Sequence, residues 1–494
     1  MSNEKVHIKE LFSQTAIYGV GILLNRSLSF LLLPIYTYFF SPAELGLYNL
    51  IQSIWLFVIL IYVYGMETSF IKFFIDAKEK ENKKEIYSTT FILIAATSVI
   101  FSLAIYLFSG NIASLFSFED SEKAKYLMQI LSLLLFFDTL SRFPLLLLRA
   151  ELNAKTYIFI SFLSLIVNLL MNVVLIIFLK FNVEAILYSY IVSVIFTLII
   201  GLIITKKFIG FNFSFKRAKE LVLYGNKFIY MGLFLLLIDI SDRFFLKYFF
   251  DESVVGIYSA NYRLASIMSL CIAAFRFSWT PYFLSIAENP DNKEIVSKIF
   301  TYFVFAGLFL FLIFTFFTEP IVKISFGKYS VLDIKYQSGL SIIPIVLLAY
   351  FFSGLFANLN VAPFYADKTS RLLIVTVEGI IINIVLNFIL IPRYKMSGAA
   401  LATLITYAIM FLHIYFISQK IYKINYDWKK IFKISFIAVI IYLIYYFVKS
   451  FDINNTILIS INIFLMLLFI FSVSSLKLIQ ISSVKILFKR ATLK

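Results

Sequence analysis

Charge and reactive side chains are what this sequence has least of. Only 15% of its 494 residues are Asp, Glu, Lys or Arg, against roughly 25% in an ordinary soluble domain. A chain so poor in charge cannot cover a folded surface facing water. A single cysteine, Cys271, excludes an intramolecular disulfide. The two histidines, His7 and His413, are too few and too far apart for a His-based metal site. No nucleophile–base–acid grouping and no metal-ligand spacing occurs, so no catalytic residue, metal or cofactor is expected. Gly19-x-Gly21 lies inside an apolar helical run and lacks the strand that a phosphate loop requires. The N-terminus shows no short apolar core with a small-residue cleavage site, so its first apolar run is expected to remain as a span.

What is present is apolar: 61% hydrophobic and 19% aromatic residues, with a mean hydropathy of +0.92. The solvent for such a chain is lipid. The apolar runs are continuous and do not alternate, which excludes a β-barrel and leaves an all-α polytopic membrane protein. About fourteen runs are long enough to cross the ~30 Å hydrocarbon layer, the first at 12–39, the fourth at 127–148, the seventh at 221–245, the eighth at 255–283 and the last at 457–473. The net charge of +16 does not call for a nucleic acid. Lys and Arg collect in short segments between runs, notably Lys78, Lys80, Lys83 and Lys84, and then Lys206, Lys207, Lys216, Arg217 and Lys219. With the N-terminus inside, most basic residues fall on the cytoplasmic face, and an even helix count puts both termini there. The longest outside segment, 319–337, is about twenty residues, too short for a catalytic domain, so the chain is not expected to be an enzyme.

The sequence repeats itself. Tyr38-Phe39-Phe40-Ser41-Pro42-Ala43-Glu44-Leu45-Gly46-Leu47-Tyr48 aligns without gaps on Tyr248-Phe249-Phe250-Asp251-Glu252-Ser253-Val254-Val255-Gly256-Ile257-Tyr258. Asn168-x-x-x-Asn172 and its Ile/Leu-rich sequel match Asn383-x-x-x-Asn387 and its own. The offsets, about 210 and 215 residues, span an even number of helices, so both copies cross the membrane in one sense. The expected architecture is two pseudo-symmetric six-helix lobes, 1–210 and 211–422, followed by an extra helix pair and a basic cytoplasmic tail in 423–494, with substrate between the lobes near the midplane.

The motifs Ser41 to Tyr48, Tyr64-Gly65-Met66-Glu67, Leu148-Arg149-Ala150 before Ala154-Lys155, Asp242-Arg243-Phe244-Phe245 and the run Asn383 to Ala402 carry a resemblance over essentially the whole chain. The chain resembles the Wzx-type O-antigen and capsular polysaccharide flippases of the multidrug/oligosaccharidyl-lipid/polysaccharide exporter superfamily. That resemblance implies movement of undecaprenyl-pyrophosphate-linked saccharide units from the cytoplasmic to the periplasmic leaflet of the bacterial inner membrane. It also implies membrane lipids, and with them a polysaccharide polymerase and glycosyltransferases, as partners.

Ionisable residues inside the spans sharpen this. A charge at the bilayer centre costs at least ~2.5–3.5 kcal/mol, so each must face protein, water or cargo. Arg26 falls in the first run, Asp138 and Arg142 in the fourth, Asp239, Asp242 and Arg243 in the seventh, Arg263 and Arg276 in the eighth. Glu67 and Glu378 lie nearer the cytoplasmic ends. Asp138/Arg142 and Asp239/Arg243 are spaced i,i+4, which puts acid and base on one helical face, where they can neutralise each other. Arg26, Arg263 and Arg276 have no acid at that spacing. Arginine stays protonated and its planar fork fits phosphate oxygens. Arg26, Arg142, Arg243, Arg263 and Arg276, with Asp242, Asn25 and Asn261 for sugar hydroxyls, are therefore the candidate substrate-binding set. Asp239, Asp242 and Glu378 are candidates for ion coupling. Among the asparagines in the spans, which could also serve sugar hydroxyls, Asn168 and Asn383 read better as interhelical hydrogen-bonding groups. Pro34, Pro144 and Pro344 lie within spans and invite kinks. A drug/cation antiporter of the same superfamily would call for a net acidic cavity, and a membrane polymerase or ligase for a longer outside loop.

Overall fold

The structure is a computed structural model, and it describes residues 28, 30–77, 79–210, 212–226, 229–326, 329–451 and 454–479. It is all-helical apart from a two-residue antiparallel pairing of Ser325–Phe326 with Tyr329–Ser330. In chain order the first half holds α1 (Leu33–Phe39), α2 (Pro42–Val63), α3 (Met66–Asp76), α4 (Lys80–Leu107), α5 (Ser109–Leu115), α6 (Ser121–Ala150), α7 (Ala154–Asn172), α8 (Glu184–Thr205) and α9 (Phe215–Gly225). The second half holds α10 (Ile229–Phe249), α11 (Glu252–Ala265), α12 (Ile267–Ser285), α13 (Asn292–Val322), α14 (Ile343–Asn358), α15 (Val361–Tyr365) and α16 (Ser370–Ile421), and α17 (Trp428–Lys449) and α18 (Asn455–Ser475) complete the chain.

Eleven helical segments among the described residues are long and apolar enough to cross a membrane. One of them, α16, is broken at Lys395, whose φ of 51° and ψ of −128° are not helical, so it supplies two crossings. The 21-residue α10 adds another; its Asp239, Asp242, Arg243 and Lys247 keep it outside the eleven. Most of the predicted first run, expected to supply one more crossing, lies outside the described residues. The protein is thus a multi-pass membrane protein of about fourteen helices.

Local chemistry sets the helix ends. Ser41 and Glu44 form a reciprocal capping box at α2, with Pro42 in the first turn. Asp120, Asn153, Ser214, Asp427 and Asn454 cap α6, α7, α9, α17 and α18 with side-chain oxygens. Pro34 and Pro344 occupy first turns, where the missing N–H has no helical partner in any case. Of the three prolines predicted to invite kinks, only Pro144 stands in a helix interior. The apolar run over 48–74, the second of the predicted spans, is broken instead at Tyr64 and Gly65, both left-handed, with φ of 31° and 75°. A Cβ on Gly65 would lie 2.0 Å from the Gly225 carbonyl oxygen, so both the dihedral and the close approach demand glycine.

The chain divides into two compact units. One comprises the described residues up to Ala260 with Asn387–Met396; the other comprises Asn261–Leu386 and the described residues from Ser397 onward. In the first, α6 packs against α2, α4, α5 and α8. Met66, Phe70 and Phe74, spaced along one face of α3, join Ile86, Tyr87, Phe143, Leu147, Leu198 and Leu221 in a continuous core. In the second, α13 packs against α14, α17 and α18, and α12 against α14.

The repeat found in the sequence has structural content in the first unit. A Cβ on Gly46 would lie 1.7 Å from the Glu252 carbonyl oxygen, and one on Gly256 would lie 1.9 Å from that of Pro42. Each repeat's glycine therefore meets the start of the other repeat's helix. The asparagine repeat is equally consistent: Tyr36 in α1 donates to Asn172 Oδ1 at 2.8 Å, and Asn387 Nδ2 donates to Ser241 in α10 at 3.4 Å. Each asparagine thus reaches the first span of its own half.

Candidate functional site

Two charged clusters in the first unit contain predicted site residues. The first is built on α6. Arg142 donates through Nε and Nη2 to Asp138 Oδ1 and Oδ2 at 3.3 and 3.2 Å, the two-bond contact that a spacing of four residues allows on one helical face. Asp138 is buried and its Oδ2 also accepts from Trp55 Nε1 of α2 at 3.1 Å. The third guanidinium nitrogen, Nη1, reaches Glu67 Oε1 of α3 at 3.4 Å. Tyr157 of α7 lies within electrostatic reach of Glu67, Arg142 and Arg149. The packed core fixes the cluster's base, since Met66 and Phe143, the neighbours of Glu67 and Arg142, are both fully buried in it.

Two carboxylates against one guanidinium leave this cluster one net negative charge. Sequence spacing showed Asp138 with Arg142 but not Glu67, which it placed near a helix end. Its signal was the Tyr64-Gly65 pair, which ends α2 and starts α3 so that Glu67 stands in the first turn of a new helix. A carboxylate is favoured there by the unsatisfied N–H groups and the helix dipole.

The second cluster joins α10 and α11. Asp242 is fully buried and accepts from the Tyr258 hydroxyl at 2.5 Å and from Arg243 Nη1 at 3.1 Å. Arg243 Nη1 also donates to the main-chain oxygen of Asp239 at 2.6 Å. The i,i+4 reading set Arg243 against the Asp239 side chain; the structure shows Arg243 bonded to the Asp239 main-chain oxygen and ion-paired with the adjacent Asp242. Nothing in the spacing points to Tyr258, because it comes from another helix.

In the second unit, Asn261 is fully buried and its Nδ2 donates to the Tyr336 carbonyl oxygen at 2.8 Å. Arg263 is half-buried in the last turn of α11 and Arg276 is exposed on α12. Glu378 meets His413 Nδ1 at 2.5 Å across the two arms of α16. His413, set aside at the sequence level as a metal ligand, is thus a partner for a carboxylate. Arg26 and Asn25 lie outside the described residues. Asn383 Nδ2 donates to Thr406 Oγ1 at 3.4 Å across the arms of α16, an interhelical bond, whereas the Asn172 side-chain nitrogen donates to Asn168 Oδ1 within α7 itself. Among the described residues no group of three or more His, Cys, Asp and Glu side chains could hold a metal ion.

The sequence profile of a family described as polysaccharide biosynthesis protein matches residues 35–331. No curated protein matches the sequence. Among solved structures, the chain is similar to the lipid II flippase MurJ in an inward closed conformation, at 19% identity and a TM-score of 0.72, covering 94% of this chain and 99% of that one. It is similar to a multidrug resistance MATE family transporter of the MOP superfamily in an inward-facing conformation, at 15% identity and a TM-score of 0.69, covering 80% and 94%. A Vibrio cholerae MATE transporter, VcmN, in the bent form gives 13% identity and a TM-score of 0.55, covering 83% and 96%.

Proposed function

We propose a flippase for a lipid-linked saccharide: the chain belongs to the polysaccharide biosynthesis protein family and has the fold shared by a lipid II flippase and MATE transporters. Its cargo is an undecaprenyl-pyrophosphate-linked oligosaccharide, moved from the cytoplasmic to the periplasmic leaflet of the bacterial inner membrane for O-antigen or capsule synthesis. The mechanism is alternating access by two pseudo-symmetric lobes, 1–210 and 211–422, with 423–494 as an appended helix pair and tail. The observation that carries the reading is arginine within crossing helices of a chain from this family. Arg142, Arg243, Arg263 and Arg276 stand on α6, α10, α11 and α12, and Arg26 falls in the predicted first run. Their guanidinium forks replace the hydration that a diphosphate loses on leaving water. Asn25, Asn261 and Asp242 serve sugar hydroxyls, and Asp239, Asp242 and Glu378 are the ion-coupling candidates.

The experiment is reconstitution in sealed vesicles with a fluorescent lipid-pyrophosphate saccharide. Protected label should become accessible without chain growth, and Arg142→Ala, Arg263→Ala and Arg276→Ala should each slow this by at least about tenfold. Full transport by all three variants would remove the anion site. A drug/cation antiporter is the second reading, favoured by the net negative charge around Arg142 and by the MATE fold. It requires a cationic dye to be exchanged for protons by vesicles that leave the lipid-linked saccharide in place.

A further inference from the structure

The cluster around Arg142 is asymmetric in a way that suits exchange. Asp138 holds two guanidinium nitrogens from one turn earlier on the same helix, is 10% exposed, and is braced by the Trp55 indole. Glu67 holds the third nitrogen through a single 3.4 Å bond, and the two side chains are 37% and 38% exposed. Glu67 stands in the first turn of α3, immediately after the left-handed Tyr64–Gly65 pair; Met66 anchors that backbone in the core, so the part of Glu67 that can move is its side chain. Asp138 alone already neutralises Arg142. Glu67 therefore brings the surplus negative charge, and it occupies the one guanidinium nitrogen that Asp138 leaves open.

We infer that Glu67 is a displaceable counter-ion, holding the place on Arg142 that a diphosphate oxygen of the cargo takes. Carboxylate and phosphate oxygens compete for the same fork because both accept charge-assisted hydrogen bonds from the same N–H groups. Without cargo, Glu67 Oε1 accepts from Arg142 Nη1. When a diphosphate enters, its two or more negative charges outweigh one carboxylate, Nη1 passes to a phosphate oxygen and Glu67 is released beside it. The freed carboxylate then repels the anion it admitted, which limits affinity and favours discharge. Asp138 keeps the guanidinium oriented throughout. Glu67 thus selects for a multiply charged anion over a single carboxylate or a neutral glycolipid. This inference rests on the flippase reading and names the residue that sets cargo affinity within it.

The test uses the purified full-length protein in lipid nanodiscs, with inorganic pyrophosphate as the probe and calorimetry as the readout. Glu67→Gln removes the competitor and its repulsion, and should bind pyrophosphate about tenfold more tightly. Glu67→Asp keeps the charge and should stay close to the native affinity, which separates competition from a general disturbance of α3. Arg142→Gln should lose the binding in both backgrounds. Unchanged or weaker pyrophosphate binding in Glu67→Gln would overturn the inference, as would native binding in Arg142→Gln. The two readings fail differently. If Arg142→Gln stops vesicle transport while Glu67→Gln leaves pyrophosphate affinity untouched, the flippase stands and the competition falls. If Glu67→Gln tightens pyrophosphate binding but no lipid-linked saccharide is moved, the competition stands and the flippase falls.

Discussion

Asp242 is a carboxylate with no exposure to solvent, and such a group persists only where charge-assisted hydrogen bonds replace its hydration. Its Oδ1 accepts from the main chain and guanidinium of Arg243 at 2.8 and 3.1 Å, and its Oδ2 from the Tyr258 hydroxyl at 2.5 Å. Deleting one donor leaves part of a buried charge unpaired. Tyr258→Phe should therefore destabilise the protein by about 1.5–3 kcal/mol, read as a lower midpoint in a detergent thermal melt. In an Asp242→Asn background the same substitution should cost much less, and equal costs in the two backgrounds would show that the bond carries no special weight. This residue also marks how far sequence reaches. Asp138 with Arg142 is legible because the helix repeat alone brings residues four apart together. Glu67, Trp55, Tyr258 and His413 are partners from other helices or from the other arm of α16, and no spacing rule joins residues 16 to 83 positions apart across separate elements.

At the scale of elements, the repeat is most visible where it is most constrained. Gly46 and Gly256 each admit the other repeat's main chain, and in both cases the added Cβ would sit inside a carbonyl oxygen. Backbone cannot yield as the end of a flexible side chain can, so Gly46→Ala or Gly256→Ala must separate α2 from α11. Each should reduce the folded fraction sharply in fluorescence-detected size exclusion. Gly232→Ala supplies the contrast, since nothing lies within 4 Å of its added Cβ. There the helix gains about 0.5–1 kcal/mol from losing glycine's backbone freedom, and the melt should hold or rise. A Gly46→Ala protein that melts with the native chain would mean the two helices do not need this approach. The glycines were legible as matching letters in an aligned repeat. Their mutual contact was not, because an alignment gives equivalence and not proximity. The break at Tyr64–Gly65 falls inside a predicted span because the apolar character continues there while the dihedrals turn left-handed.

For the whole molecule, the segments between crossings sort into two sets. Lys123 pairs with Glu44 and Lys247 with Glu119, both at 3.3 Å; Lys449 pairs with Glu319. Every one of these segments is outside by the alternation read from the sequence. Lys207 pairs with Glu151 at 3.0 Å and Tyr422 donates to Asn292 at 2.7 Å, joining segments that the alternation places inside. No bond among these joins segments of opposite sets, so the order of crossings was legible from apolar length and punctuation alone. Which set faces the cytoplasm is then a matter of Lys and Arg excess, a property of insertion rather than of any contact. That assignment has a direct consequence in cells. With Cys271→Ser as a cysteine-free background, Glu122→Cys and Ile334→Cys, both on exposed positions of the outside set, should react with a membrane-impermeant maleimide on spheroplasts. Lys80→Cys and Lys429→Cys, exposed on the other set, should react only after the membrane is opened. The reverse pattern would invert the protein in the membrane and with it the direction of the proposed transport. Labelling of all four on closed spheroplasts would break the alternation itself. The native charge bias predicts neither, because the basic segments around Lys80 and Lys207 would have to be driven across the membrane against the rule that holds such segments inside.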